Sequence, residues 1–291
     1  MAGGMARRGG AAQKAVRLSG YADRVTSALD WPGFGQVSLA GLLFLCLAAA
    51  FAGAVDAVVG GGGLIQVPAL LLIGPGGQPL YALATNKVAS VVGTGSAVVT
   101  YARQTTVDWG SALPMAFAAF GGAVGGAAFA GALQPSVLNA VVLVALVGVG
   151  LYTWRKPELG VAETPRFKRV AQIAMMVLGG GLIGFYDGLA GPGTGAFLVF
   201  LLVGLLGFAF LRASATAKVV NVATNLGALL YFIPAGKVLW GLGLVLAACN
   251  LAGAVFGARL AVRRGSAFVR RVFLTVVVAL VVSLGWKAAL G

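Results

Sequence analysis

The chain contains no histidine, two cysteines and only seven acidic residues among 291. Without histidine there are no imidazole metal ligands, general bases or proton relays. A proton held by a side chain within the apolar segments would therefore rest on a carboxylate, with Asp56 and Asp187 as the candidates. Cys46 and Cys249 both lie in apolar stretches and form neither a disulfide framework nor a metal-ligand spacing. Serines and threonines lack a nearby histidine base, which argues against a hydrolase. No enzyme activity, metal or cofactor is expected.

Charge is scarce as well. Asp, Glu, Lys and Arg make up 10% of the chain, against about a quarter in soluble domains. Hydrophobic residues make up 59%, the mean hydropathy is +0.96, and 46 glycines supply the small side chains that let membrane helices approach closely. The net charge of +14 is concentrated in three stretches, Arg7 to Arg24, Arg155 to Arg169 and Arg259 to Arg271. All three lie outside the apolar runs. Loop bias and anionic lipid explain them better than nucleic acid does, and no nucleic-acid partner is expected.

Ten apolar segments are predicted, at about 37–58, 63–74, 80–102, 110–132, 137–154, 170–189, 195–210, 213–234, 240–262 and 268–289. The expected fold is an all-α polytopic membrane protein of 8–10 helical segments, since a full span needs about 20 residues. The second and seventh segments are too short, and glycines bound them. They are expected to be broken or re-entrant helices, tolerated where their backbone lines a cavity or is buried in protein. Residues 1–36 form a basic N-terminal tail, either disordered or an interfacial helix from Ala15 to Trp31. They carry no apolar h-region, so no cleavable signal peptide is expected. Residues 155–169 form a polar basic linker.

Two halves, 37–154 and 170–291, share a motif at an offset of 131 residues. Asp56 precedes Gly60, Gly61, Gly62 and Gly63, then Ala84-Thr85-Asn86-Lys87. Asp187 precedes Gly191, Pro192, Gly193, Thr194 and Gly195, then Ala215-Thr216-Ala217-Lys218. Trp109-Gly110 matches Trp240-Gly241 in the same register. About a third of positions 53–130 equal their partners, which indicates a duplicated unit. Secondary transporters place their sites where such repeats meet, on discontinuous helices.

Glycine at the breaks lets a ligand approach the backbone, and helix starts present free N–H groups with positive potential. Lys87, Ser90 and Thr94 share a helix face, as do Lys218, Asn221 and Asn225. With Asn86, these residues and the two breaks form the expected substrate site, in which Lys87 and Lys218 supply positive charge. Asp56 and Asp187 have two readings: titratable groups that couple protons to transport, or structural groups that cap the breaks or pair with the lysines in either combination. Neither glycine run is a nucleotide loop, because no lysine directly follows the last glycine and no strand precedes it.

The run Gly53-Ala-Val-Asp56-x-x-x-Gly-Gly-Gly-Gly-Leu-Ile-Gln-Val-Pro68 followed by Ala-Leu-Ala-Thr-Asn-Lys87 resembles the first-repeat signature of the TauE/SafE family of membrane transporters. Gly184-Phe-Tyr-Asp187-Gly-Leu-Ala-Gly-Pro-Gly-Thr-Gly195 with Ala-Thr-Ala-Lys218 resembles the second repeat of its bacterial inner-membrane branch. The resemblance runs from about residue 40 to the C-terminus. It implies a multi-pass protein of the bacterial inner membrane that moves sulfur-containing anions such as sulfite or organosulfonates. The second half departs from the first in having Val199 at the offset of Pro68, so the two half-sites are not equivalent. The expected function is secondary transport of a small anion by alternating access at the repeat interface. An anion channel or a non-transporting scaffold is the alternative. The charge rule leaves the repeats' relative orientation open: placing both the N-terminus and the linker in the cytoplasm conflicts with a cytoplasmic Arg259 loop.

Overall fold

A computed structural model describes residues 28–29, 33–34, 37–73, 79–130, 160, 162–164 and 166–290. The basic tail up to residue 27, the predicted segment 137–154 and linker residues 155–159 lie outside the described residues. A two-residue antiparallel pairing of β1 (Ala28–Leu29) with β2 (Val37–Ser38) leads into a helical body. The helices are α1 (Leu39–Val59), α2 (Gly63–Ile73), α3 (Pro79–Gln104), α4 (Trp109–Phe129), α5 (Arg169–Leu189), α6 (Thr194–Phe200), α7 (Phe210–Phe232) and α8 (Trp240–Leu290). A π-helical turn, Leu201–Leu205, extends α6.

The local chemistry explains the boundaries of α1. The Ser38 hydroxyl accepts the Gly41 N–H at 3.1 Å and caps the first turn. At the other end Gly60 takes the left-handed conformation, φ +82°, and its N–H donates to the Asp56 carbonyl. The chain then reverses. A Cβ built on Gly41 would meet the Ile73 side chain, so α2 runs back along α1 toward its start. Gly265 also breaks α8 at a positive φ, +71°, with ψ extended at −172°. Beyond it Val276 packs beside Gly61 and Phe273 stacks on Phe210, so the two legs of α8 correspond to the separate segments 240–262 and 268–289 read from the sequence.

Among the described residues, four helices are long and apolar enough to cross a membrane: Leu39–Val59, Trp109–Phe129, Arg169–Leu189 and Trp240–Ala279. Two closely packed pairs make the frame. Helix α1 lies parallel to the first leg of α8, where a Cβ on Gly53, Gly253 or Gly257 would press on the partner's carbonyl oxygens. Helix α4 lies parallel to α5, with Gly122, Gly126, Gly184 and Gly188 in the same role. Backbone-to-backbone approach at small residues is the means by which helices associate in lipid. Leucines and phenylalanines such as Leu47, Phe51, Phe117 and Leu182 point outward, as lipid-facing positions do.

Helices α3 and α7 carry too many polar residues to meet that hydropathy criterion, and they occupy the middle. They are antiparallel: Ala84 at the start of α3 packs with Ala228 and Phe232 at the end of α7. Contacts at the loops define two ends of the bundle. At one end Leu239 N–H donates to Thr85 Oγ1, Lys237 lies over the Tyr81 ring, and Gly33 abuts Trp240 and Gly241. At the other, Arg169 and Arg212 pair with Asp108 at 3.1 and 3.4 Å, Thr164 N–H donates to Gly207, and Leu211 N–H donates to Ser266. Burial works to raise the Asp108 carboxyl. Hydrogen bonds from Ser111 and Arg169 and the charges of Arg169 and Arg212 outweigh it, holding the group below its ordinary 3.8.

The start of α1 and the described linker residues lie at opposite ends of the bundle, whereas those linker residues and the Gly265 turn share one.

Candidate functional site

The breaks after α1 and α5 touch each other at the centre of the bundle. A Cβ on Gly60 would stand 2.2 Å from Gly195 Cα, and one on Gly195 would stand 2.2 Å from Gly60 Cα. No side chain fits between them. Gly191 and Gly193 also have positive φ, +85° and +87°, a conformation open to glycine at little cost. Hydroxyls from neighbouring helices tie down the ends of the broken segments. Tyr101 on α3 donates to the Ala57 carbonyl at 2.9 Å, and Ser214 on α7 donates to that of Val58 at 2.7 Å. On the opposite break, Tyr186 donates to the Pro192 carbonyl.

Around this contact the four predicted charges form two ion pairs, and each pair joins one half of the chain to the other. Lys87 on α3 stands 2.6 Å from Asp187 on α5, and Lys218 on α7 stands 3.1 Å from Asp56 on α1. The pairs differ. Side-chain exposure is 2% and 5% in the first, and Asp187 also accepts the Thr194 hydroxyl at 2.7 Å. In the second, Lys218 is fully buried while Asp56 is 17% exposed. Its other partners are distant, Thr94 Oγ1 at 3.3 Å and Gly62 N–H at 3.4 Å.

A narrow cleft, partly open to the outside, lies between the pairs. It is lined by Gly60, Gly63, Asn86, Lys87, Ser90, Gly191, Thr194, Gly195, Asn221 and Asn225, together with Asp56 and Asp187. Asn86 is 5% exposed and its Oδ1 has no hydrogen-bond partner among the described residues. A buried amide oxygen without a partner costs free energy unless a ligand or water meets it. Four residues of the predicted set do not line the cleft. Gly61 packs under Val276, Gly62 faces Ala52 and the Asp56 side chain, Gly193 lies beside Leu64 and Phe197, and Lys218 sits behind Asp56. The lysines thus offer no unpaired positive charge, since an aspartate already holds each one.

Thr94, on the predicted stripe of α3, also lines the cleft. A second buried polar contact has no counterpart at the 131-residue offset. Asn250 donates to Gln66 Oε1 at 2.9 Å, with both residues buried. Shifted by the offset, these positions hold Ala119 and Phe197, so comparing the halves gives no sign of the pair. Its only trace in the sequence is two amides within apolar runs. Among the described residues no group of His, Cys, Asp and Glu could hold a metal ion.

Residues 45–284 match the family model described as Sulfite exporter TauE/SafE. A probable membrane transporter protein, ORF9, of Sinorhizobium sp. is 39% identical over 84% of this chain and 92% of its own length. The probable membrane transporter protein YfcA of Escherichia coli K12 is 36% identical over 82% and 86%. A probable membrane transporter protein of Haemophilus influenzae is 33% identical over 74% and 83%. No solved structure matches. Match and helices agree with one another: the chain belongs to the TauE/SafE family and is a multi-pass membrane protein of the transporter type.

Proposed function

We propose that the protein is a secondary transporter of a small anion, of the sulfite or organosulfonate class, which binds in the cleft between the two breaks. The observation that carries this reading is the cleft itself. It is a polar, partly open space at the centre of an apolar bundle, where two glycine breaks meet and a lysine ammonium, amides and hydroxyls converge. Such groups are costly inside a membrane protein unless they serve a ligand. Asn86, Ser90, Thr194, Asn221 and Asn225 can donate to oxyanion oxygens once their side chains rotate, and so can the ammonium of Lys87, whose charge Asp187 balances. The class of anion comes from the family description and from no contact in the cleft.

The reading includes two inverted repeats and alternating access between them. In support, bounds shifted by 131 residues coincide: α2, α3 and α4 start at 63, 79 and 109, and α6, α7 and α8 at 194, 210 and 240. Helix α3 starts at one end of the bundle and α7 at the other, and Leu201 after α6 lies against Gly179 of α5 as Ile73 of α2 lies against Gly41 of α1, which supports re-entry from opposite ends. Repeats arranged in this sense expose a central site to either side by related movements.

The test is thermal stability of the purified protein with sulfite, thiosulfate, methanesulfonate, sulfoacetate, taurine and carboxylate controls. A sulfur oxyanion should raise the midpoint in the wild type and not in Lys87→Ala or Asn86→Ala. Equal stabilisation in those variants, or none in the wild type, would remove the cleft as the site.

A further inference from the structure

We infer that the cleft takes up one proton with each anion, and that Asp56 carries it. The inference rests on the anion-transport reading and adds a second, coupled substrate to the same site. Charge balance provides the argument. The two carboxylates and two ammonium groups around the cleft sum to zero, and the surroundings are apolar helix. An anion added alone would leave the buried site with a net negative charge next to the Asp56 carboxylate, which lines the same space. A proton added alone to Asp56 would leave Lys218, fully buried, with its ion-pair partner neutralised. Either state carries an uncompensated charge in a poorly solvated place. Added together, anion and proton restore the sum to zero, so each improves binding of the other by the same factor.

Geometry selects the carboxylate. Asp187 is nearly inaccessible, and both of its oxygens are held by short contacts, Thr194 at 2.7 Å and Lys87 at 2.6 Å. Asp56 is the more exposed of the two, its contacts are all 3.1 Å or longer, and it borders the cleft through which water and a proton arrive. The groups facing it are few. Lys218, Asn221 and Asn225 come from α7, Thr94 and the Tyr101 hydroxyl from α3, and the Gly62 N–H from its own break, with Lys87 and Asp187 across the cleft. No further carboxylate is close enough to share the proton among the described residues. Protonated Asp56 can then donate to the anion that displaced its charge, while the Lys218 ammonium behind it adds attraction.

Calorimetric titration of the full-length protein in detergent tests this, using methanesulfonate and thiosulfate, both fully ionised across the neutral range. Run in two buffers of different ionisation enthalpy, the wild type should take up about one proton per anion, and its Kd should weaken about tenfold per pH unit on the alkaline side. Asp56→Asn, which imitates the protonated carboxyl, should bind with a pH-independent Kd and no proton uptake. Binding by the wild type with no proton uptake and a flat pH profile would overturn the inference while leaving the anion site standing. Silence toward both anions in the wild type would remove the anion site itself. Because the decisive measurement uses the wild type, instability of a variant does not blunt it.

Discussion

Asp187 and Lys87 show how a charge survives inside this bundle. Each is almost fully buried, and each makes its closest contact with the other. Removing one partner strands the second, at a cost of about 3–5 kcal/mol for a buried pair, whereas removing both charges together is often close to neutral. Asp187→Asn or Lys87→Met alone should therefore lower the thermal midpoint in detergent by many degrees, and the double variant should recover most of the loss. Two single-variant losses that simply add would show that the charges do not act as a pair. That both charges lie deep was legible in the sequence, since each sits in an apolar run. Which lysine serves which aspartate was not. The partners are 100 and 162 residues apart, and either combination satisfies the composition.

At the scale of the helix, glycine content separates into contact and filler. Gly126 on α4 faces α5, where an added Cβ would stand 1.9 Å from the Phe185 carbonyl oxygen. Gly121, on the same helix, has nothing within 4 Å. Gly126→Ala should destabilise by about 1–3 kcal/mol through forced separation of the helices, and Gly121→Ala should stabilise by up to about 1 kcal/mol through helix propensity. Denaturation in mild detergent compares the two, and equal behaviour would contradict the packing described. The segments were readable because their apolar runs end at Gly60, Gly74 or Gly265, all within a residue or a few of the observed boundaries. The asymmetry at Pro68 was also readable, and it has a physical counterpart. Helix α2 is α-helical for 11 residues, while the matching stretch is seven residues of α6 followed by a π turn.

Across the described part of the molecule the basic side chains outside the site divide by end. Among the described side chains outside the site, Arg103, Arg166, Lys168, Arg169, Arg212, Arg259, Arg263, Arg264, Arg270 and Arg271 belong to the end that holds the Gly265 turn, and Lys237 belongs to the other. From these residues the positive-inside tendency predicts a cytoplasmic Gly265 end. In a background of Cys46→Ser and Cys249→Ser, a membrane-impermeant thiol reagent should label Lys237→Cys in intact spheroplasts and Arg264→Cys only after permeabilisation. The reverse pattern would invert the molecule. Arg259 to Arg271 and the linker agree in this frame, although neither stretch reveals it alone, because net charge says nothing about how many segments lie between two loops.

By itself the sequence determined that the chain is a helical membrane protein, where the described segments begin and end to within a few residues, and that an aspartate, a glycine break and a lysine recur at an offset of 131 residues. These follow from local properties: hydropathy over a span, the conformational freedom of glycine, and the cost of charge in lipid. The tertiary structure alone decided that the two breaks meet at Gly60 and Gly195, that the ion pairs cross between the halves, and that α3 and α7 run in opposite senses. Those outcomes depend on which distant surfaces fit without a side chain between them. That fit is a matter of shape between segments, and periodicity along one segment does not encode it.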